Sequence, residues 1–163
     1  MSASYVLKDT DQKIYKNIHE NNVVIYDCAL GTNIDKVLLN RASNGGNSSS
    51  LLNPTSKLVK TYPNITYDSK LEVEQYPLDY FQLDANTLVI DTQGYELNVL
   101  KGAENTLKNI YYILTEVYDE ELYSGCALFG EVDSFLKEHG FKLLRKDMTW
   151  AKWGNAFYTR TEQ

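Results

Sequence analysis

Residues 88 to 96 read LVIDTQGYE, an apolar run that ends in an acid and turns through a glycine. Leu88, Val89 and Ile90 are too few for a helix and are not interrupted by polar residues, a pattern that suits a buried parallel strand. Asp91 then stands at the carboxyl end of that strand. In open α/β sheets ligands bind at this edge, which gives the position a meaning an ordinary surface aspartate lacks. Gly94 permits the sharp turn, and a helix is expected beyond it. Leu97, Leu100, Leu107 and Ile110 fall on one stripe, while Asn98, Lys101, Glu104, Asn105 and Lys108 face water.

Glu96 lies in the first turn of that helix and partly neutralises the helix dipole, which makes the junction less welcoming to a phosphate. With Asp91 beside it, the pocket should prefer a cation, either a metal or a sulfonium. A second apolar run, Tyr111 to Val117, carries Glu116 near its end and brings another acid to the same rim. The wager is geometric: Asp91 and Glu116 emerge together from neighbouring parallel strands.

Several classes of function are disfavoured. With a net charge of −6, a pI near 4.9 and no basic run, the chain would be repelled by nucleic acid and by an anionic membrane surface. No apolar stretch approaches the roughly 20 residues of a membrane span, and the start MSASYVLKDT lacks the core of a secretory signal, so a cytoplasmic protein is expected. Cys28 and Cys126 share no metal-binding spacing, and only His19 and His139 could accompany them. Two reduced thiols are the expectation, with no zinc site. The sequons at Asn47 and Asn64 read as chance in that setting.

At 163 residues, 43% hydrophobic and 23% charged, one globular domain spanning 1–163 is expected. Asp11 to Asn22 suits a helix with Ile14, Tyr15 and Ile18 inward, and Val23 to Tyr26 a strand. Lys36 to Asn40 and Ser48 to Leu52 flank an Asn-Gly-Gly turn signal and read as an exposed hairpin insertion over 36–52. Thr55 to Asp68 reads as irregular, Leu71 to Gln75 as a half-exposed edge strand, and Asp79 to Leu83 as a connection. Leu128, Val132, Phe135 and Leu136 mark a helix stopped at Gly140. Phe141 to Leu144 and Ala156 to Thr159 form a closing hairpin. The fold class is α/β, with a mostly parallel sheet ending in an antiparallel hairpin.

The segments LVIDTQGYELNVLKGAENTL, ILTEV followed by ELYSG, FLKEHGF and WGNAFY resemble the C-terminal part of FkbM-type methyltransferases, in the same order and at similar spacing. Upstream, VVIYDCAL and NSSSLL resemble that family's middle part. The resemblance covers nearly all of residues 15 to 160. It implies a Rossmann-like class I methyltransferase fold, S-adenosylmethionine as donor and a hydroxyl of a sugar or small metabolite as acceptor. It also implies that Asp27, Cys28 and Ala29 flank the adenine, that Gln93 and Gly94 lie by the donor, and that Tyr95, Trp153 and Asn155 lie by the acceptor, with an acid often in place of Asn155. Asp91, Glu96 and Glu116 are then the candidate catalytic acids, Asp91 as base or positioner. The serine run Ser48, Ser49 and Ser50 matches the family without a derivable role.

The same resemblance exposes a departure. The family opens with a strand, a glycine-rich turn and a helix around the methionine part of the donor, then a second strand for the ribose. Gly31 stands alone, and Gly45 and Gly46 sit in a polar hairpin. A βαβ crossover needs roughly 30 residues, more than the sequence offers ahead of the first helix. An incomplete donor site is therefore expected, as is an open edge on the strand Leu88 to Ile90. Val23 to Tyr26 should move in beside that strand, or a second subunit or partner chain should cover it. A silent relative that keeps the fold for binding or assembly is the alternative. A metal-dependent or hydrolytic site on the three acids is a third reading, without a histidine cluster to support it.

Overall fold

A computed structural model describes residues 4–7 and 23–161; the helix expected over Asp11 to Asn22 lies outside them. Three sheets organise the described chain. Strand β1 (Ser4–Leu7) pairs in parallel with β2 (Val23–Tyr26). The short β3 (Ala29–Leu30) runs parallel to β5 (Ser69–Tyr76), which is also antiparallel to β4 (Asp35–Arg41). The largest sheet has the order β6 (Thr87–Ile90), β7 (Tyr112–Tyr118), β9 (Trp153–Arg160), β8 (Phe141–Met148). Only β6 and β7 are parallel there, and β9 is antiparallel to both β7 and β8. The chain is thus α/β, but its sheets are mixed and mainly antiparallel rather than mostly parallel.

One face of the four-stranded sheet carries the core. Ile90, Ile113, Val117, Ala156 and Tyr158 pack against Val99, Leu100 and Ala103 and against Val132 and Leu136. The last two lie on α3 (Phe129–Glu138), which ends where Gly140 takes φ +80°. The expected long helix after Gly94 is instead broken. Helix α2 spans Glu96–Lys101, and a 3-10 turn follows at Thr106–Asn109. The break has a physical cause on each side. A Cβ on Gly102 would lie 2.0 Å from the Gly31 carbonyl oxygen. The carboxylate of Asp79 accepts from the backbone amides of Asn105 and Thr106 at 2.8 and 2.7 Å, which starts the second turn afresh. Leu100, Leu107 and Ile110 stay buried through both pieces, so the stripe was right and the continuity was not.

Four other expectations need correction. The segment 36–52 is not a two-stranded hairpin: β4 pairs with β5, and Ser50 makes a single bridge with Asn40, both buried, while Arg41, Ser43, Gly45 and Asn47 between them are exposed. The amide of Asn40 caps the carbonyls of Ser50 and Leu52 and ties the loop down. Segment 69–76 is accordingly the middle strand of its sheet rather than an edge. Within the stretch read as irregular, α1 (Ser56–Thr61) forms because the Thr55 hydroxyl accepts from the amide of Leu58 at 3.2 Å.

The fourth correction concerns the sheet edge. Ser4–Leu7 forms a strand ahead of Val23–Tyr26, and it, not β6, is the neighbour of that strand. Strand β6 pairs with β7 alone among the described residues. It is not buried on both sides, since Val89 is 67% exposed. Among the described residues no helix is long and apolar enough to cross a membrane.

The close approach at Gly102 yields a prediction. Gly102→Ala should destabilise the domain by about 1–3 kcal/mol through overpacking, read as a lower urea midpoint. Gly130→Ala, where an added Cβ meets nothing within 4 Å in α3, should be neutral or stabilising by up to about 1 kcal/mol. A Gly102 variant as stable as wild type would show that the contact is not limiting.

Candidate active site

The site grows from the parallel register of β6 and β7. Ile90 lies beside Thr115, so the next residues along each strand, Asp91 and Glu116, come out side by side at one rim, as the sequence reading required. Helix α2 adds Glu96. Carboxylate oxygens of the three acids lie within 4.8 Å of one another, the only such group of His, Cys, Asp and Glu among the described residues. Asp91 is exposed, whereas Glu96 and Glu116 are 2% and 5% exposed.

What joins them is the turn 92–95. Gln93 and Gly94 both take left-handed backbone, φ +53° and +96°. At Gly94 a side chain would be strained and would also press on Tyr123 and Cys126, each Cβ 3.0 Å from an added Cβ. Gln93 pays the smaller penalty of a non-glycine residue in this region and gains a central place. Its Nε2 donates to Asp91 Oδ1 at 2.6 Å and to Glu116 Oε2 at 3.0 Å, and its Oε1 accepts from the Tyr123 hydroxyl at 2.8 Å. The Ser50 hydroxyl donates to its carbonyl at 2.7 Å. A neutral amide therefore stands between two carboxylates.

The two buried acids differ in role. Glu96 folds back on its own turn, where its Oε1 accepts from the amides of Thr92 and Gly94 at 2.9 and 3.1 Å and from the Thr92 hydroxyl at 3.2 Å. It fastens the strand-to-helix junction. Burial pushes its carboxyl up to about 7, against the pull of these donors. Glu116 accepts from Gln93 and from the Tyr118 hydroxyl. Burial, and then the charge of Asp91, push it up to about 8, so it is largely protonated at neutral pH.

The other anticipated residues are distributed around this centre. Tyr95 begins α2, and its hydroxyl donates to Gln75 Oε1 at 3.4 Å. Ala29 pairs with the same Gln75, so the stretch Asp27, Cys28 and Ala29 is linked to the turn through β5 rather than lining it directly. Cys28 and Cys126 are both free and buried. Trp153 donates to the Tyr62 hydroxyl at 2.8 Å and packs in a cluster with Leu58, Tyr118, Leu122 and Tyr123; it is packing rather than a stacking platform. Asn155 is exposed and lies opposite Glu116 across β7 and β9. Sequence reasoning missed Tyr118, Tyr123 and the role of Ser50. Tyr123 stood in the ELYSG segment, but nothing distinguished it among 13 tyrosines.

An α/β domain with acids at the ends of adjacent parallel strands defines a class of enzyme-like sheet whose ligand rim is built from strand ends and turns. The sequence model of the methyltransferase FkbM domain matches residues 6–143, and the chain belongs to that family. No curated protein and no solved structure matches the chain.

The donor implied by the family can be tested against these residues. The anionic rim at Asp91 suits a sulfonium. A glycine cradle for the rest of the molecule is not evident among the described residues. The Cβ position of Gly31 is filled by the Gln75 side chain at 2.3 Å, that of Gly102 by the Gly31 carbonyl and that of Gly154 by the Asp147 carbonyl, each at 2.0 Å. Those glycines serve packing within the chain. Among the described residues the fit is therefore to one end of the donor.

The raised carboxyls of Glu116 and Glu96 set a pH dependence. Each folded-state value lies above the unfolded one, so the folded state holds protons that the unfolded state releases. Stability from Glu116 is complete below about 4.5, declines as pH rises and is lost above about 8, and that from Glu96 is lost above about 7. Wild type should thus lose on the order of a few kcal/mol between pH 5 and 9, and Glu116→Gln should lessen that slope in thermal melts, leaving the part due to Glu96. An equally steep fall in the variant would assign the proton elsewhere.

Proposed function

We propose that the chain is an S-adenosylmethionine-dependent O-methyltransferase domain acting on a hydroxyl of a sugar or small metabolite in the cytoplasm. The observation that carries this reading is the exposed carboxylate of Asp91 at the sheet rim, oriented by Gln93 beside the buried Glu116. Asp91 would accept the proton of the acceptor hydroxyl as it reacts. Glu116, held by Tyr118, would supply a neutral donor to the same acceptor, and Glu96 would hold the turn in shape. An exposed carboxylate beside a buried carboxyl that burial pushes upward suits a base and acid pair. S-adenosylmethionine would supply the electrophilic methyl group. The remaining contribution is positional, because displacement at a sulfonium depends mainly on alignment. Asn155 and Tyr95 would border the acceptor. A second copy or a partner chain would cover the β6 edge and complete the donor side.

The packed glycines favour one other reading, a catalytically silent relative that keeps the fold for binding or assembly. Calorimetric titration with S-adenosylmethionine and S-adenosylhomocysteine separates the two. The methyltransferase reading expects micromolar binding, and millimolar or weaker binding would favour the silent relative. Given turnover on a panel of small sugars, Asp91→Asn should lower kcat by about 10²-fold or more, the scale of a lost general base, with KM for the acceptor little changed. Undiminished kcat would remove Asp91 from the chemistry.

A further inference from the structure

We propose that Tyr123 is a positioning residue, whose hydroxyl locks the Gln93 amide in the one orientation that presents Nε2 to both Asp91 and Glu116. A primary amide has two faces of opposite character, and rotation by a half-turn would aim Oε1 at the carboxylates. The choice is made by what lies on the far side. There the single proton of the Tyr123 hydroxyl has Oε1 as its nearer acceptor at 2.8 Å, the Ser48 carbonyl lying farther off at 3.1 Å.

The tyrosine is well placed to impose that orientation because it cannot yield. It is 1% exposed and meets Tyr118 edge to face at 6.2 Å. Its Cβ sits against Gly94 in the same turn that carries Gln93. Its backbone forms a bridge with Pro54, and the Leu122 carbonyl beside it accepts from the Thr55 amide at 3.0 Å. Burial also drives its phenol far above the usual range, so it remains a proton donor at every working pH. With the amide fixed, each Nε2 proton has its own carboxylate, and Asp91 is held through Oδ1. The consequence for catalysis rests on the methyl-transfer reading; the lock itself does not.

The side-chain amide signals of Gln93, assigned by their absence in Gln93→Leu, give a direct test by nitrogen-edited NMR. In wild type the pair should be resolved and slow to exchange with water. In Tyr123→Phe exchange should quicken by roughly fivefold to tenfold, the factor of one buried hydrogen bond. Tyr158→Phe, which removes a buried hydroxyl near Asp133 on the other side of the sheet, should leave the pair unchanged. Unaltered exchange in a folded Tyr123→Phe protein would overturn the proposal. So would a wild-type pair exchanging as fast as a surface glutamine, a result that does not depend on Tyr123→Phe folding. Absence of any methyl transfer by wild type would instead count against the functional reading and leave the amide result standing.

Discussion

The parallel pairing of β6 with β7 is the constraint on which the site depends. Parallel strands carry their chain direction together, so both reach the same rim, and the register of Ile90 beside Thr115 brings Asp91 and Glu116 out as neighbours. An antiparallel pair would have sent one acid to the opposite end of the sheet. The antiparallel partner β9 contributes differently. It fixes β7 from the other side and places Asn155 opposite Glu116, so the strand carrying the buried acid is held on both edges, whereas the Asp91 strand is held on one among the described residues.

Two buried carboxyls beside an exposed carboxylate would be costly without donors, since desolvation penalises the charged form and like charges add to it. The chain resolves this in two ways. Glu96 receives three donors from its own turn, whereas Glu116 shares one amide with Asp91 and takes a tyrosine hydroxyl. The first arrangement is local and is made as soon as the turn forms. The second joins residues far apart in sequence and exists only when the sheet, the turn and the 118–123 segment are assembled together. That difference sets Glu96 as the fastening of the junction and Glu116 as the acid whose partners depend on the assembled fold.

Legibility from sequence followed the same division between local and distant causes. The run LVIDTQGYE specified strand, turn and helix start because hydrophobic length, a strand-end acid and a glycine act within nine residues. The apolar stripe through Leu100, Leu107 and Ile110 was readable, but the break at Gly102 was not, because its cause is the carbonyl of Gly31 and the carboxylate of Asp79, neither a neighbour in the chain. The turn signal Asn-Gly-Gly was real, since Gly45 and Gly46 take positive φ. The inferred hairpin failed because β4 found a longer partner in β5, with Lys36 reaching Glu72 at 2.9 Å across the pair. In the site, the acids were visible and the tyrosines were not. A carboxylate at a strand end announces itself, whereas a tyrosine acquires its meaning from the amide it meets.

The same reasoning bears on the uncovered side of the sheet. Val89, Leu114 and Phe157 stand in one register row across β6, β7 and β9, on the face away from α2 and α3. Tyr112 stacks on Phe157 at 6.1 Å beside them. Strands that carry apolar residues on both faces are made for a sheet covered on both. Here the row runs to the β6 edge, which has no neighbour among the described residues. The face and the edge meet at the strand that ends in Asp91, so whatever orders that strand also sets how firmly the exposed carboxylate is held against Gln93. The sheet edge and the rim are in this way one mechanical problem: an edge strand with a single neighbour among the described residues carries the exposed acid of the group.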